Sequence, residues 1–409
     1  NQLPREAIEN REFLGELSLD GSLRPSHGAL SATLSATDAK HMLCVAPDGA
    51  AQLASVPGSR ILAATDLLSL CAALQAREPA LVKPGSDPLA PTPHYPDLSQ
   101  LRGQPFLCRA LELAAAGGHH LLMCGPPGVG KTLAASVLPG LLPPLQPKTQ
   151  QQIWLIRDLM GLPRVSGPTF RAPHHSSSIA ALIGGTARAT PGEISMAHGG
   201  VLFLDEVTEF PRAVLNQLRQ PLESGDITVI RAQHQYRYPA RFQLVAAMNP
   251  CPCGQADSED GGCRCSPDII RRYRQSVSGP LTDRIDLHVT LTKPPPEQLL
   301  SPPPERRLSA HLMQRIASVQ AHQYERQGCL NRDLSGERAL AVCALSATTR
   351  ARFIEALASL SLSARSAHRR LRVARTLADL DGMEDVSMAH LNTALSFRET
   401  PTEVGGVKG

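Results

Sequence analysis

Aromatic residues are scarce in this chain: one tryptophan, five tyrosines and eight phenylalanines make up 3% of 409 residues. Its cores must therefore be aliphatic, drawn from the 42% of residues that are hydrophobic. No run of 18 consecutive apolar residues occurs, which excludes a simple membrane-spanning helix. Charge of one sign is also lacking. Lysine and arginine number 41 against 37 acidic residues, and a net charge of +4 permits a nucleic-acid partner without requiring one. The opening NQLPREAIENREFLGE has no initiator methionine and no basic-then-apolar signal layout, so the expectation is a chain that has lost preceding sequence. Internal repeats are absent. What is plentiful is proline (35) and glycine (31), which with 19% charged residues reads as an α/β protein with long proline-bearing connections.

The length suggests two to four domains. Residues 1–77 alternate short apolar segments such as HMLCVAP with the pattern LLSLCAALQ, as in part of a small α/β domain. Residues 78–97 are proline-rich and unperiodic, hence a linker, and 293–305 form a second one. Residues 98–292 between them read as a nucleotide-binding domain. Residues 306–400 read as helical, from apolar spacing in RLSAHLMQRIASVQAHQY, ERALAVCALSA, RARFIEALASLSL and RSAHRRLRVARTLADL. The terminal TEVGGVKG reads as frayed.

The strongest motif is GPPGVGKT: Gly125, Pro126, Pro127, Gly128, Val129, Gly130, Lys131 and Thr132. It follows an apolar strand at 121–124 and opens a helix near 131. In that context the loop's backbone N–H groups converge on phosphate oxygens, Lys131 reaches the β and γ phosphates, and Thr132 offers a hydroxyl to Mg²⁺. A second apolar run, GVLFLDE, ends in Asp205 and Glu206. Carboxylates at the C-terminal end of a parallel strand suit one group that orients Mg²⁺ (Asp205) and one base that polarises water (Glu206). A third buried run, FQLVAAMNP, ends in Asn249, whose amide suits positioning of that water; a strand-terminal turn before Pro250 is the alternative. Arg284 in GPLTDRIDLHVTL suits an arginine finger serving a neighbouring subunit, or else a salt bridge with Asp283 or Asp286. Arg365, the first arginine of SARSAHRRLRVARTL, suits a reporter of nucleotide state to the helical domain.

Other segments carry weaker signals. His174 and His175 in RAPHHSSS are adjacent rather than at helical ligand spacing, which favours a loop lining a pore or contacting phosphates over a metal site. DITVIRAQHQYRYP reads as a hairpin with a tip near Ala232–Gln235. Its Arg231, His234, Tyr236 and Arg237 could meet a nucleic-acid backbone and bases, or form a solvated hairpin that helps subunits pack. Six of the ten cysteines (Cys44, Cys71, Cys108, Cys124, Cys329, Cys343) read as small buried hydrophobes. The other four, Cys251, Cys253, Cys263 and Cys265, sit in an insert at 251–265 and could hold structural Zn²⁺; free thiols around a tight turn or a redox pair are the alternatives. A nucleotide-using chain with this cysteine content is expected in the reducing cytoplasm.

These motifs together resemble the magnesium-chelatase-like AAA+ proteins of the bacterial ComM (YifB) type. The matching segments are RALELAAAGGHHLLMCGPPGVGKT, FRAPHHSSSIAALIGG, PGEISMAHGGVLFLDEVTEF, LRQPLESGDITVIRA, PARFQLVAAMNPCPCG, SGPLTDRIDLHV and SARSAHRRLRVARTLADL, spanning roughly 102–380. The resemblance implies an α/β P-loop NTPase (AAA+) with a C-terminal helical lid, ATP and Mg²⁺ as ligands, and homo-hexameric rings. It implies an ATP-driven DNA helicase that promotes branch migration on single-stranded and branched DNA in natural transformation, working with recombination proteins and without a membrane. It gives Lys131 and Thr132 the Walker A role, Asp205 and Glu206 Walker B, Asn249 sensor 1, Arg284 the finger and Arg365 sensor 2. A chelatase-type or chaperone-like ATPase that remodels a protein partner is the alternative. FLGELSLDGSLRPSHGAL is similar to the end of a Lon-protease-like domain of the ribosomal S5 fold, so that 1–77 would be its C-terminal part. Ser31 stands near the place of the proteases' catalytic lysine, and the stretch that would hold a nucleophilic serine is not in the chain, which argues against proteolysis.

Overall fold

A computed structural model describes residues 3–76, 79–84, 91–185, 189–231, 234–256, 262–277, 279–295, 297–298 and 308–398. Parts of both expected linkers, the hairpin tip at Ala232 and Gln233, the middle of the cysteine insert, the side chains of Arg231 and His234, and TEVGGVKG lie outside the described residues.

The chain divides into two units. The first comprises Asn1–Pro93 and Gln146–Gly167, so it takes in a segment from inside the interval read as nucleotide-binding. Its sheet is parallel, in the order β1 (Arg11–Leu14), β4 (Met42–Val45), β5 (Ile61–Ala63), beside a two-residue hairpin of β2 (Glu16–Leu17) and β3 (Leu23–Arg24). All four residues of β4 are buried, as a central parallel strand covered on both faces requires. Helix Ala29–Asp38 begins at Gly28, and the Asp158 carboxylate accepts a hydrogen bond from Leu30 N at 2.9 Å, placing an anion at a helix N-terminus. Asp158 belongs to helix Pro147–Leu159, whose Trp154 and Leu155 pack on the core of Leu30, Leu43, Val45 and Ile61. Ser31 lies exposed in the first turn of helix Ala29–Asp38.

The second unit, His94–Leu145 with Pro168–Gly409, holds the larger sheet. Five parallel strands run in the order β12 (Leu287–Thr290), β6 (Leu121–Cys124), β11 (Gln243–Met248), β8 (Val201–Leu204), β7 (Phe170–Arg171). Alternation along the strands divides the interior between two faces. Leu121, Met123, Val201, Phe203, Val245, Ala247, Leu287 and Val289 share one core with helix Pro105–Gly117, helix Lys131–Val137 and the C-terminal helices. Leu122, Leu202, Leu204, Leu244, Ala246 and Met248 share the other with Ile194, Phe210, Leu215 and Phe242. Each of the Val, Leu, Ile, Phe and Met side chains among them contributes about 1.5–3 kcal/mol by leaving water. The aliphatic cores expected from the composition are thus what the sheet builds. β9 (Asp226–Arg231) and β10 (His234–Pro239) form the antiparallel hairpin read from the sequence.

The C-terminal region is helical: Leu308–Gln327, Gly336–Cys343, Ala347–Ser359, Ala364–Leu380 and Met388–Ser396. The last of these was not legible as a periodic segment; a capping box of Ser387 and His390 starts it. A buried polar chain joins this domain to the sheet. Asp286 accepts from His119 at 2.8 Å, the other nitrogen of His119 meets Thr376 Oγ1 at 2.8 Å, and Asn331 Nδ2 donates to Thr376 and to Asp379. Asp379 in turn receives a two-pronged bond from Arg326 at 2.6 and 3.0 Å and one from Arg375. Of the scattered cysteines, Cys44 and Cys343 are buried as expected, and Cys71, Cys108, Cys124 and Cys329 are only partly so.

Two buried imidazoles tie stability to pH. His120 Nδ1 accepts from Leu244 N at 2.9 Å and His198 Nδ1 accepts from Arg241 N at 3.1 Å, so both bonds require the neutral ring. Burial pushes His198 down to about 4, with Arg241 adding to the effect, and holds His120 well below its ordinary value. A folded-state pKa below the unfolded value of about 6.5 gives a contribution that is complete above that pH and lost as pH falls through the window from about 6.5 to about 4. For His198 the loss is on the order of 3 kcal/mol. Thermal denaturation between pH 7 and 4 should show a falling Tm, with a shallower fall in His198→Asn, which keeps an acceptor and does not titrate. Parallel slopes in the two proteins would exclude His198 as a source of the effect.

Candidate nucleotide-binding site

Three adjacent strands, β6, β11 and β8, deliver the three motif ends to one edge of the sheet. β6 runs into Gly125, whose N–H donates to Met248 O at 3.2 Å, while Val129 is buried in the core and anchors the loop. A Cβ on Gly125 would come within 2.8 Å of Leu291 Cβ, so no larger residue fits there. Gly130 takes φ 93° and caps helix Lys131–Val137. Its positive φ turns the chain from loop to helix at little steric cost.

Lys131 is nearly buried and donates all three of its protons: to Gly125 O at 2.6 Å, to Pro126 O at 3.0 Å and to Asn249 Oδ1 at 2.9 Å. Burial holds its ammonium below the ordinary range, and Asp205 partly offsets that. Thr132 Oγ1 donates to Asp205 Oδ2 at 3.0 Å, while Asp205 Oδ1 accepts from Glu206 N at 3.0 Å. Glu206 itself has φ 49°, a left-handed conformation that costs a non-glycine residue about 1 kcal/mol or more. That turn directs its carboxylate into solvent beside the loop. Pro127, Gly128, Lys131, Thr132, Asp205, Glu206 and Asn249 together line a cavity of about 350 Å³. All the residues read as Walker A, Walker B and sensor 1 therefore meet in one place.

Arg284 and Arg365 do not line that cavity. They line a second, larger groove of about 790 Å³ between the sheet's N-terminal edge and the C-terminal helices. Arg284 is paired with Glu223, and Arg365 Nη1 meets Asp283 Oδ2 at 3.1 Å. Burial, then the nearby Arg219 and Arg365, lowers the pKa of Arg284, so three cations crowd this spot. Six arginines and four carboxylates line the groove, an excess that suits an anion. Of the four other arginines of helix Ala364–Leu380, three have local work: Arg369 donates to Thr282 O and Ile285 O, Arg370 to Asp286 O and Ala394 O, and Arg375 to Asp379, while Arg372 also lines the groove. Arg365 is by contrast 65% exposed in its side chain.

His175 was read as part of a pore or phosphate loop. Its Nδ1 lies 3.9 Å from Glu206 Oε2, with the ring tilted by 34° against His174 at 4.0 Å between centroids and edge-on to Phe210. The adjacency of His174 and His175 held no signal for this placement, because 30 residues separate them from Glu206. Arg219, in the matching segment LRQPLESGDITVIRA, carried no signal for its place near Arg284. In the hairpin, Tyr236 is exposed, while Arg237 is held by Asp226. Cys251, Cys253, Cys263 and Cys265 converge, with all four sulfurs within 4.8 Å of one another. The Cys251 thiol and the neighbouring backbone N–H groups pull Cys253 down to about 6. Among the described residues no helix is long and apolar enough to cross a membrane.

A phosphate loop on a five-stranded parallel sheet, followed by a packed helical domain, defines the chain as a P-loop ATPase of the AAA+ class with a magnesium-chelatase-type layout. Residues 97–299 match the family model "Magnesium chelatase, subunit ChlI", and 306–398 match its C-terminal counterpart. The competence protein ComM of Haemophilus influenzae is 39% identical over 407 residues, 97% of this chain and 79% of that protein. The uncharacterised protein YifB of Salmonella typhimurium is 40% identical over 402 residues, with the same shares. A weaker and partial similarity, 26% over 193 residues, links 41% of the chain to 35% of Lon protease 2 of Bacillus subtilis. The chain belongs to the magnesium-chelatase-like ComM family.

The placement of Glu206 and His175 makes an expected outcome concrete. Glu206→Gln should leave nucleotide affinity in place and lower steady-state ATP hydrolysis by roughly 10²–10⁴-fold, the range for loss of a general base. His175→Ala should give a smaller loss, about tenfold, again in turnover rather than binding. A His175→Ala protein with wild-type turnover would remove His175 from the site.

Proposed function

We propose that this chain is an ATP-hydrolysing, homo-hexameric ring motor acting on DNA, a helicase that promotes branch migration during recombination in natural transformation. The observation that carries the ring is the separation of its cations: Arg284 and Arg365 share a groove that has no lining residue in common with the Lys131 cavity. Arginines suited to a phosphate but placed away from their own phosphate loop are best used on the nucleotide of a neighbouring copy. The name of the competence protein ComM supports the biological setting.

In this reading ATP phosphate oxygens replace Gly125 O, Pro126 O and Asn249 as acceptors for Lys131. The Thr132 hydroxyl and the Asp205 carboxylate, already 3.0 Å apart, are hard oxygen donors of the kind Mg²⁺ takes. Bound there, Mg²⁺ supplies charge neutralisation to the phosphates. Glu206 accepts the proton of the attacking water, His175 holds the Glu206 carboxylate, and Asn249 orients the water. Arg284 from the adjacent copy offsets charge on the transferred phosphoryl group, and Arg365 passes the nucleotide state to the helical domain. The hairpin with Arg231, His234, Tyr236 and Arg237 meets single-stranded and branched DNA, and recombination proteins act alongside in the cytoplasm. Residues 1–77 serve as a Lon-like, S5-type scaffold without protease chemistry, and the four clustered cysteines hold structural Zn²⁺. The domain limits at 98–292 and 306–400 are part of the same proposal.

A second reading, a chelatase-type or chaperone-like ATPase remodelling a protein partner, has its own support: Arg237 is committed to Asp226, and Ile230 on the same hairpin is 71% exposed.

Mixed oligomers separate these ideas. Lys131→Ala and Arg284→Ala chains should each lack ATP hydrolysis and four-way-junction branch migration, and mixing them should restore part of the hydrolysis, because some interfaces then join an intact loop to an intact finger. Mixtures no more active than the sum of their parts would rule out a shared site. Forked DNA should raise wild-type turnover, and Arg231→Ala/Arg237→Ala should abolish that rise. Turnover indifferent to DNA would favour the protein remodeller.

A further inference from the structure

We propose that Cys251, Cys253, Cys263 and Cys265 bind one Zn²⁺ and that the metal-held loop braces the phosphate loop, so that nucleotide binding at Lys131 depends on metal at the cysteines. The proposal rests on the reading of the Lys131 cavity as a nucleotide site.

All four sulfurs lie within 4.8 Å of one another, close enough to share one ion. Cys251 lies 3.2 Å from Cys253 and 3.7 Å from Cys263, and Cys253 lies 3.6 Å from Cys263. A tetrahedron with Zn–S bonds of about 2.3 Å has S···S edges of about 3.8 Å. The measured separations are far beyond the roughly 2.05 Å of a disulfide. Four soft thiolates in this arrangement select Zn²⁺ over the hard cations that suit Thr132 and Asp205. The sequence between the cysteine pairs, GQADSEDGG, has one alanine as its only hydrophobic residue, so its composition offers little apolar surface to bury. A metal cross-link is the natural anchor for such a loop.

The loop touches the nucleotide cavity in two ways. By chain continuity, only Pro250 separates Cys251 from Asn249, the acceptor of a Lys131 proton at 2.9 Å. Pro250 is itself fixed, since its carbonyl accepts from Arg274 Nε at 2.9 Å. By packing, the turn Cys251–Gly254, closed by Gly254 N donating to Cys251 O at 2.9 Å, lies directly on Pro127 of the phosphate loop. A Cβ at Gly254 would sit 2.9 Å from Pro127 Cδ, and the residue has φ 78°. Asn249, Lys131, Pro127 and the cysteine turn thus form a closed circuit. Without metal, the turn loses its anchor and both Asn249 and Pro127 lose a support.

The test uses the whole chain under reducing conditions, with a fluorescent ATP analogue as probe. Elemental analysis should find about one zinc per chain. Stripping the zinc with a thiol-reactive mercurial and a chelator, followed by reduction, should weaken analogue binding by about tenfold or more, and adding Zn²⁺ back should restore it. Gly254→Ala should keep its zinc and still bind the analogue several-fold more weakly, because it breaks the packing on Pro127 and leaves the ligands intact. A chain with four free thiols and no zinc overturns the metal site. Equal affinity with and without zinc, or wild-type affinity in a zinc-loaded Gly254→Ala protein, overturns the coupling. Zinc-loaded wild-type protein that binds no nucleotide overturns instead the reading of the Lys131 cavity.

Discussion

The parallel pairing of β6 with β11, Cys124 opposite Met248, is the constraint from which the site follows. It sets Gly125 N on Met248 O, and so fixes where the phosphate loop begins relative to the end of the neighbouring strand. Asn249 is the next residue along, within reach of Lys131. Because β8 pairs with the other edge of β11, Asp205 reaches Thr132 from the third strand in the series. A shift of one residue in either ladder would turn every strand side chain to the opposite face. The two aliphatic cores forbid that shift, since each already takes alternate residues of all these strands. The chemistry at the edge is held in register by hydrophobic packing well away from it.

The helical domain is attached differently. Where the sheet uses aliphatic burial, the connection to the C-terminal helices adds a chain of buried polar groups from Asp286 through His119, Thr376 and Asn331 to Asp379. The Asp286 carboxylate is held well below the usual range because, although burial opposes ionisation, hydrogen bonding and charge from His119 outweigh it. Such a chain is directional, and loss of one member strands the others without partners. It joins the start of β12 to the helix that carries Arg365, two residues beyond the loop that carries Arg284. A nucleotide-dependent movement of the helical domain would therefore have a rigid handle on the sheet.

How much of this could be read in the sequence depended on whether the signal was local. Strand 121–124, the turn into helix 131, the runs ending at Asp205 and Asn249, and the hairpin are local patterns of apolar alternation and glycine, and all stand in the structure. The pairing of Arg284 with Glu223 had no local signal, since the two lie 61 residues apart. The approach of His175 to Glu206 and of Arg219 to Arg284 is set in the same way, by the fold of an intervening segment. Helix Pro147–Leu159, rich in polar residues, gave no clear period, and its association with the first unit depends on Trp154, Leu155 and Asp158, none of which belongs to a motif. The cysteine cluster was legible as four residues, but its contact with Pro127 was not.

That contact bears on why the loop and the cysteines share one short stretch of chain. A phosphate loop has to be rigid enough to present its N–H groups together, yet its glycines make it the least self-stabilising part of the sheet edge. Lys131 compensates by spanning the loop and β11 with three bonds, but those are the bonds an incoming phosphate must displace. A loop braced only by Lys131 would lose its brace at the moment of binding. Support from the far side, through Gly254 on Pro127 and Pro250 on Arg274, does not compete with the ligand. On that logic the cysteine turn keeps the loop in shape while Lys131 exchanges partners.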